Sequence, residues 1–406
     1  MKVIIFILLL VFRLWMATLA KHGDMYNNWD WGETAVKSGP QRVYELPKEA
    51  WPHSRPNQPA GSILLYMASF RLNSKVDYLI KTINLKVTWF PSRVVWWWED
   101  HGQLVSIKLP SILADFAIAW AILALGKLYG VPVMSKKIAL IYLINPALWY
   151  NSSFWGQTDS LVASLALWSI IFLFQRRLSW SAIFLGLSLA TKASWLPILP
   201  LYVVWWLRHH LPKLYLLALA PLIVIGLFLP FHFHGDLPLW LYNLYSQRIL
   251  PGESNFATVS AFNLWHLVFG QRLVPDSFWS VNLIGAVVCG LIVAYAMVAL
   301  WRRATPQKFL YWNLVIFMSV FLFASRMHER YLYPAFGLLS ALGLFSSWVG
   351  GGYLVLSLTY MLNMYYGWWA PSLPQVMAWY TPTFTKMVSG VNLAVWAYVV
   401  KQRKTN

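Results

Sequence analysis

Long apolar runs, separated by short basic turns, recur through this 406-residue chain and limit its fold more than any other feature. A helix needs about 20 apolar residues to cross a bilayer. Inside hydrocarbon every backbone N–H and C=O must find a partner within the protein, which leaves helices or closed barrels. The runs lack the period-two alternation of barrel strands, so helices are the expected solution. With 59% hydrophobic and 11% charged residues and a mean hydropathy of +0.52, the chain reads as an all-α integral membrane protein. Spans are expected near 3–20, 110–129, 137–150, 159–175, 180–191, 195–207, 213–232, 280–301, 309–325, 332–349, 351–367 and 386–400. That is about twelve, within a range of roughly 10–13.

Orientation follows from the basic residues. Lys127, Lys136, Lys137, Arg176, Arg177, Arg208, Lys213, Arg302, Arg303, Lys308, Lys401, Arg403 and Lys404 fall in alternate short loops. The positive-inside rule makes those loops cytoplasmic, with both termini inside a multi-pass cell membrane protein. Arg176/Arg177 and Arg208/Lys213 then lie on one side, so the chain between them crosses an even number of times. Lys192 must sit at the far turn of that excursion, where a lysine either snorkels or binds a ligand. None of the fourteen acidic residues falls in a cytoplasmic loop, and Asp115 alone lies inside a span. An extracytoplasmic active site would produce that asymmetry, and so would a merely solvated acidic surface.

The net charge of +18 is spread over many short loops rather than gathered in a patch, so nucleic acid is not an expected partner. Cys289 is the single cysteine, which excludes an internal disulfide. The 26 Trp and 21 Tyr suit membrane-interface belts or sugar-facing platforms. Lys2, an apolar core and Thr18-Leu19-Ala20 fit a cleavable signal sequence, whereas Arg13 inside the run and the later spans argue for a retained helix. An arginine in a span is expected to face the bundle interior or to snorkel.

The first outer segment, 21–108, is the one long loop, and no soluble C-terminal domain is expected after the spans. Within it, 56–61 reads as a turn, 63–70 as a short interfacial helix and 96–101 as a surface-lying stretch. Asp24 falls within a helical turn of the bilayer surface, followed by Asp30, Glu33 and the aromatics Tyr26, Trp29 and Trp31. Four polar clusters share the outer side by topology: Gly23-Asp24-Met25; 145–160, with Asn145, Gln157 and Asp159; 260–265, with Asn263; and 326–331, with Arg326, His328, Glu329 and Arg330. An aspartate can take a proton from a hydroxyl nucleophile. Arginine, lysine and protonated histidine can stabilise a departing phosphate. Carboxylate, amide, imidazole and guanidinium at a membrane face suit a substrate that is part sugar and part lipid phosphate. Three of the clusters also have a structural reading: Asp24 as a solvated helix end, Gln157 and Asp159 as helix caps, Glu329 as an offset to Arg326 and Arg330. Asn151-Ser152-Ser153 matches the N-glycosylation acceptor pattern but lies near span ends.

NPALWYNSSFWGQTDS at 145–160, Lys192 followed by Pro197, FNLW at 262–265 and RMHERYLYP at 326–334 resemble prokaryotic membrane glycosyltransferases of the GT-C superfamily. The nearest group is the one related to the mannosyltransferase that adds the second mannose in GPI-anchor synthesis. GDM at 23–25, Trp29, Gly39-Pro40, Tyr44 and PNQPAG at 56–61 resemble that group's first outer loop. The resemblance runs in order over roughly 22–340. It implies a multi-helix GT-C fold and an inverting transfer of a hexose, mannose first among candidates, from a polyprenyl-phosphate sugar. The expected acceptor is a lipid-linked or cell-envelope glycan on the extracytoplasmic face, and membrane lipids surround the chain.

Asp24 matches the position of the family's catalytic base. His328-Glu329-Arg330 is similar to a His-Glu-Lys run that lies at the donor phosphate, with Arg in place of Lys, which changes the fork geometry. Gln58-Pro59-Ala60 stands where the family's first loop usually has Pro-Pro. Under this reading His328, Arg330, Lys192 and Arg326 hold the donor phosphate. Gln157, Asp159, Asn263, Glu329 and Asp30 shape the sugar and acceptor site, and Asp30 is the rival base. No cofactor is expected; a divalent metal could bind near the carboxylates, but no ligand spacing demands one. The alternative is a transporter or flippase of lipid-linked glycans, which should place paired ionisable residues near the midplane and repeat its halves. Arg13 and Asp115 are intramembrane charges, but the sequence has no clear internal repeat.

Overall fold

The computed structural model describes residues 3–233, 235–250 and 254–404, and they are almost entirely helical. The chain opens with α1 (Val3–Thr18) and bends by 92° into the polar helix α2 (Gly23–Lys37). A hairpin follows, made of α3 (Ala60–Lys86) and the 37-residue α4 (Ser92–Leu128). Next come α5 (Pro132–Ile144), α6 (Asp159–Phe174), α7 (Leu178–Thr191), α8 (Leu199–His209) and α9 (Leu219–Phe228). The chain ends with α10 (Val281–Arg302), α11 (Pro306–Phe323), α12 (Pro334–Leu342), α13 (Val349–Trp368) and α14 (Pro382–Lys401). Pro132, Pro306, Pro334 and Pro382 stand in first turns, where a missing N–H costs nothing. A two-stranded parallel pair, β1 (Thr258–Val259) and β2 (Met327–His328), joins two distant loops.

Among the described residues, four helices are long and apolar enough to cross a membrane: Ser92–Leu128, Leu211–Phe228, Phe278–Arg302 and Pro306–Phe323. α10 exposes Leu283, Val287, Leu291, Tyr295 and Val298 at intervals of three to four residues. Such a stripe would be costly in water and is at home in lipid. The chain is therefore an α-helical membrane protein. Several expected runs take other forms. The 137–150 run breaks at Pro146 and passes into a π-helical turn at Tyr150–Trp155. The 195–207 run starts as a 3-10 stretch around Pro197, and the 332–349 run is helical only over Pro334–Leu342. The first outer segment is not a loop. α3 extends well past the expected 63–70, and 96–101 belongs to the same continuous helix as the span behind it.

α6 and α7 pack antiparallel, tied by Ser181 Oγ donating to Ser169 O (3.0 Å) and Ser188 Oγ donating to Val162 O (3.0 Å). Gly186 lets α9 approach α7 closely, since a Cβ there would lie 2.6 Å from Ala220 O. At 1.5 Å per residue α6 is about 24 Å long. Asp159 and Arg176 therefore mark opposite ends of α6, and Lys192, one residue past α7, returns to the Asp159 end. The parity argument for Lys192 thus agrees with the geometry. Arg13 faces the interior as expected, pairing with Asp115 in full burial and donating to Leu143 O (2.9 Å). Ser152 and Tyr333 also donate to Asp115, at 2.5 and 2.7 Å. This network fastens α1 to α4 and to the π-turn.

Candidate active site

Every side chain of the site is placed by a helix end or a chain break. Asp24 stands in the first turn of α2, where the helix dipole favours a carboxylate. His22 caps that helix, its Nδ1 accepting from the Asp24 backbone N–H at 3.0 Å, and its ring lies against Trp155 and Trp368. Gln157 follows the π-turn through Gly156, whose φ of +91° favours glycine; a Cβ there would also lie 3.0 Å from Lys108. Lys108 ties the two segments together, donating to Ala17 O (2.9 Å), Ala20 O (2.8 Å) and Phe154 O (2.7 Å). Lys192 is the C-cap of α7, where a cation meets the negative end of the dipole. His328 is fixed by β1–β2 pairing, and Arg330 follows it into the α11–α12 connection.

These residues converge. Gln157 Nε2 donates to Asp24 Oδ2 at 2.6 Å, and an Arg330 guanidinium nitrogen lies 3.7 Å from the same oxygen. Arg330 also donates to Glu329 at 2.7 Å and lies over the rings of Trp155 and Tyr331. Lys192 Nζ donates to Asp159 Oδ1 at 2.5 Å and sits 5.6 Å from the Tyr331 ring centre. Asp24, Gln157, Lys192, His328 and Arg330 line one cavity of about 570 Å³. Asn28, Trp31 and Gln58 add polar and aromatic surface, and Leu196, Pro197, Ile249, Leu250, Phe317 and Val320 add apolar lining.

Burial pushes the Asp24 carboxyl up, but Arg330, His22, Gln157 and His328 together outweigh it and hold it below the usual carboxylate value. Asp24 is thus an ionised proton acceptor at neutral pH, with 35% of its side chain open to the cavity. Burial, with Arg330 and Lys192 adding to it against Asp24, lowers His328 to about 3. Burial likewise lowers His22 to about 4, Asp24 opposing. Neither imidazole carries charge at neutral pH. A cationic His328 is therefore not available in the free protein, and the positive charge facing the cavity comes from Arg330 and Lys192. Burial raises the Glu329 carboxyl against the pull of Arg330.

The remaining expected site residues lie elsewhere. Asp159 and Glu329 stand behind the cavity wall as partners of Lys192 and Arg330. Asp30 is six residues beyond Asp24 on α2, on another face, and pairs with His53 at 2.7 Å. Asn263 is fully buried, capping a short helix through His266 N–H and donating to Phe321 O. Arg326 pairs with Asp276 at 2.6 Å, outside the cavity. Asn151 is fully buried between Asp159 and Tyr360, so the folded chain does not present the glycosylation pattern to solvent. His22 and Trp155 lie within the stretches singled out in the sequence but carry no expected role there, and nothing in the sequence marks Lys108. Lys108 borders a span like any other loop lysine, and only the three carbonyls around it reveal its task. Among the described residues, no group of three His, Cys, Asp or Glu is placed to hold a metal ion. No family model matches the chain, and no curated protein matches it.

Proposed function

We propose that the chain is an inverting membrane glycosyltransferase that moves a hexose, mannose first, from a polyprenyl-phosphate sugar to a lipid-linked or envelope glycan. The observation that carries this reading is the shared cavity: an ionised Asp24, with Arg330 3.7 Å away, lines it together with Lys192 and a set of apolar side chains. Asp24 accepts the proton of the acceptor hydroxyl, and that oxygen bonds to the anomeric carbon of the sugar. The bond from the anomeric carbon to the phosphate oxygen breaks from the opposite face. The electron pair leaves on the phosphate, where Arg330 and Lys192 stabilise it. Gln157 orients the Asp24 carboxylate, and neutral His328 offers a hydrogen bond at the cavity wall. The apolar lining receives the first isoprene units. In this reading the remaining apolar helices complete a GT-C bundle of about twelve spans, with the cavity on the extracytoplasmic face, because the short basic turns lie at the opposite end.

A flippase would use intramembrane charges as a pathway. Arg13 and Asp115 instead satisfy each other and neighbouring hydroxyls in full burial, which suits a fixed brace. The test is reconstitution in liposomes with radiolabelled polyprenyl-phosphate mannose or glucose and mixed lipid-linked acceptors. The expected result is a lipid-linked product with the anomeric configuration inverted. Lipid-dependent glycan translocation without transfer would replace this reading with the flippase.

A further inference from the structure

At the end of the molecule opposite the Asp24 cavity, two adjoining recesses of about 430 and 530 Å³ share Arg176, Leu178 and Lys213. Arg177 and Trp180 line the first, and His209 and His210 the second. No carboxylate lines either one. Asp159 and Asp236 are the nearest acids along the chain on each side, and Asp159 lies at the far end of α6. Burial first, and then His209, Arg176 and Lys213, hold His210 below its usual value. Arg176 adopts a left-handed backbone (φ +61°) that turns the chain tightly between α6 and α7 and sets two consecutive arginines at the recess.

The recess borders lipid-facing surface. Trp180, Leu211 and Tyr215 are 55%, 58% and 71% exposed, and the apolar face of α9 continues from them through Leu222. A ligand that satisfies both halves carries a negative headgroup and hydrocarbon. We propose that this recess is a seat for the phosphate of an anionic glycerophospholipid, held by Arg176, Arg177 and Lys213, with acyl chains against Trp180, Leu211 and α9. Three uncompensated cations in one recess repel one another, and a phosphate between them removes that repulsion. The seat is independent of sugar transfer.

The test is native mass spectrometry of the purified full chain after exchange into equal phosphatidylglycerol and phosphatidylcholine. Wild type should retain the anionic lipid about tenfold over the zwitterionic one, a factor that corresponds to a modest free-energy difference. Arg176→Gln/Arg177→Gln/Lys213→Gln should lose the preference. Arg302→Gln/Arg303→Gln/Lys401→Gln, with the same charge removed outside the recess, should keep it. Equal retention of both lipids by wild type overturns the proposal without any variant. A preference that survives in the recess variant also overturns it, as general surface charge would then be the cause. Displacement of the retained lipid by millimolar inorganic phosphate assigns the recess to a soluble anion and overturns the lipid seat.

Discussion

Asp24 is held ionised by neighbours from three separate parts of the chain, and each can be removed. Gln157→Leu deletes the donor at 2.6 Å and so raises the Asp24 pKa. In the proposed transfer the base must be ionised, so the rate should fall as pH drops through that value. The acidic limb of the rate profile should therefore move to higher pH in Gln157→Leu, and an unmoved limb would separate Gln157 from the base. Histidines supply a second pH effect, on stability. His22 and His328 stay neutral in the folded chain down to about 4 and 3, whereas an unfolded histidine takes up a proton near 6.5. Between those values the unfolded state binds more protons, so stability is full above about 6.5 and falls as pH falls. The thermal midpoint in detergent should drop from pH 7 to pH 5, with a shallower slope in His328→Asn. Asp24, Lys192, His328 and Arg330 were legible as candidates because each is an ionisable residue at the edge of an apolar run, and the four line one cavity. Asn263 and Arg326 are polar residues in similar settings, yet they serve a helix cap and an ion pair. Sequence does not reveal which partner a polar group finds.

At the scale of elements, the site depends on two interruptions in otherwise apolar helices: the turn from α1 into α2 and the π-turn at Tyr150–Trp155. Lys108 holds both through three carbonyls. Lys108→Met keeps the volume but leaves those carbonyls buried without a donor. It should destabilise the fold by about 2–5 kcal/mol. Chemical or thermal denaturation in detergent measures this, and a change under about 1 kcal/mol would remove Lys108 as the clamp. Hydropathy located α1, α6, α7 and α10 well, because a continuous apolar run is sufficient evidence for a helix. It misjudged the first outer segment, where α3 and the start of α4 alternate polar and apolar residues against a partner helix. It could not see the break at Pro146 as a functional turn, since a proline marks where a helix stops and not where the chain goes next.

Across the whole molecule, the cavity and the basic turns occupy opposite ends of the same helices, with α6, α7 and α8 running between them. That polarity suggests a membrane orientation with the cavity outward. In a Cys289→Ala background, Glu49→Cys should react with an impermeant thiol reagent in intact cells, and Ser179→Cys only after permeabilisation. The reverse pattern would turn the molecule over and place the chemistry at the cytoplasmic face. The placement of Lys and Arg in alternate short loops makes this polarity readable in the sequence. The convergence of residues 24, 157, 192, 328 and 330 on one cavity did not follow from composition; it needed the bend after α1, the α6–α7 hairpin and the β1–β2 pairing together.

The most direct measurement is single-turnover sugar transfer by Asp24→Asn and Asp30→Asn, each confirmed folded by its thermal midpoint. Asp24→Asn should slow transfer by about 10²–10⁴-fold, the usual range for loss of a general base. Asp30→Asn, altered at a residue paired with His53 away from the cavity, should stay near wild type. Transfer that survives in folded Asp24→Asn and disappears in Asp30→Asn would contradict the account and move the chemistry out of the cavity described here.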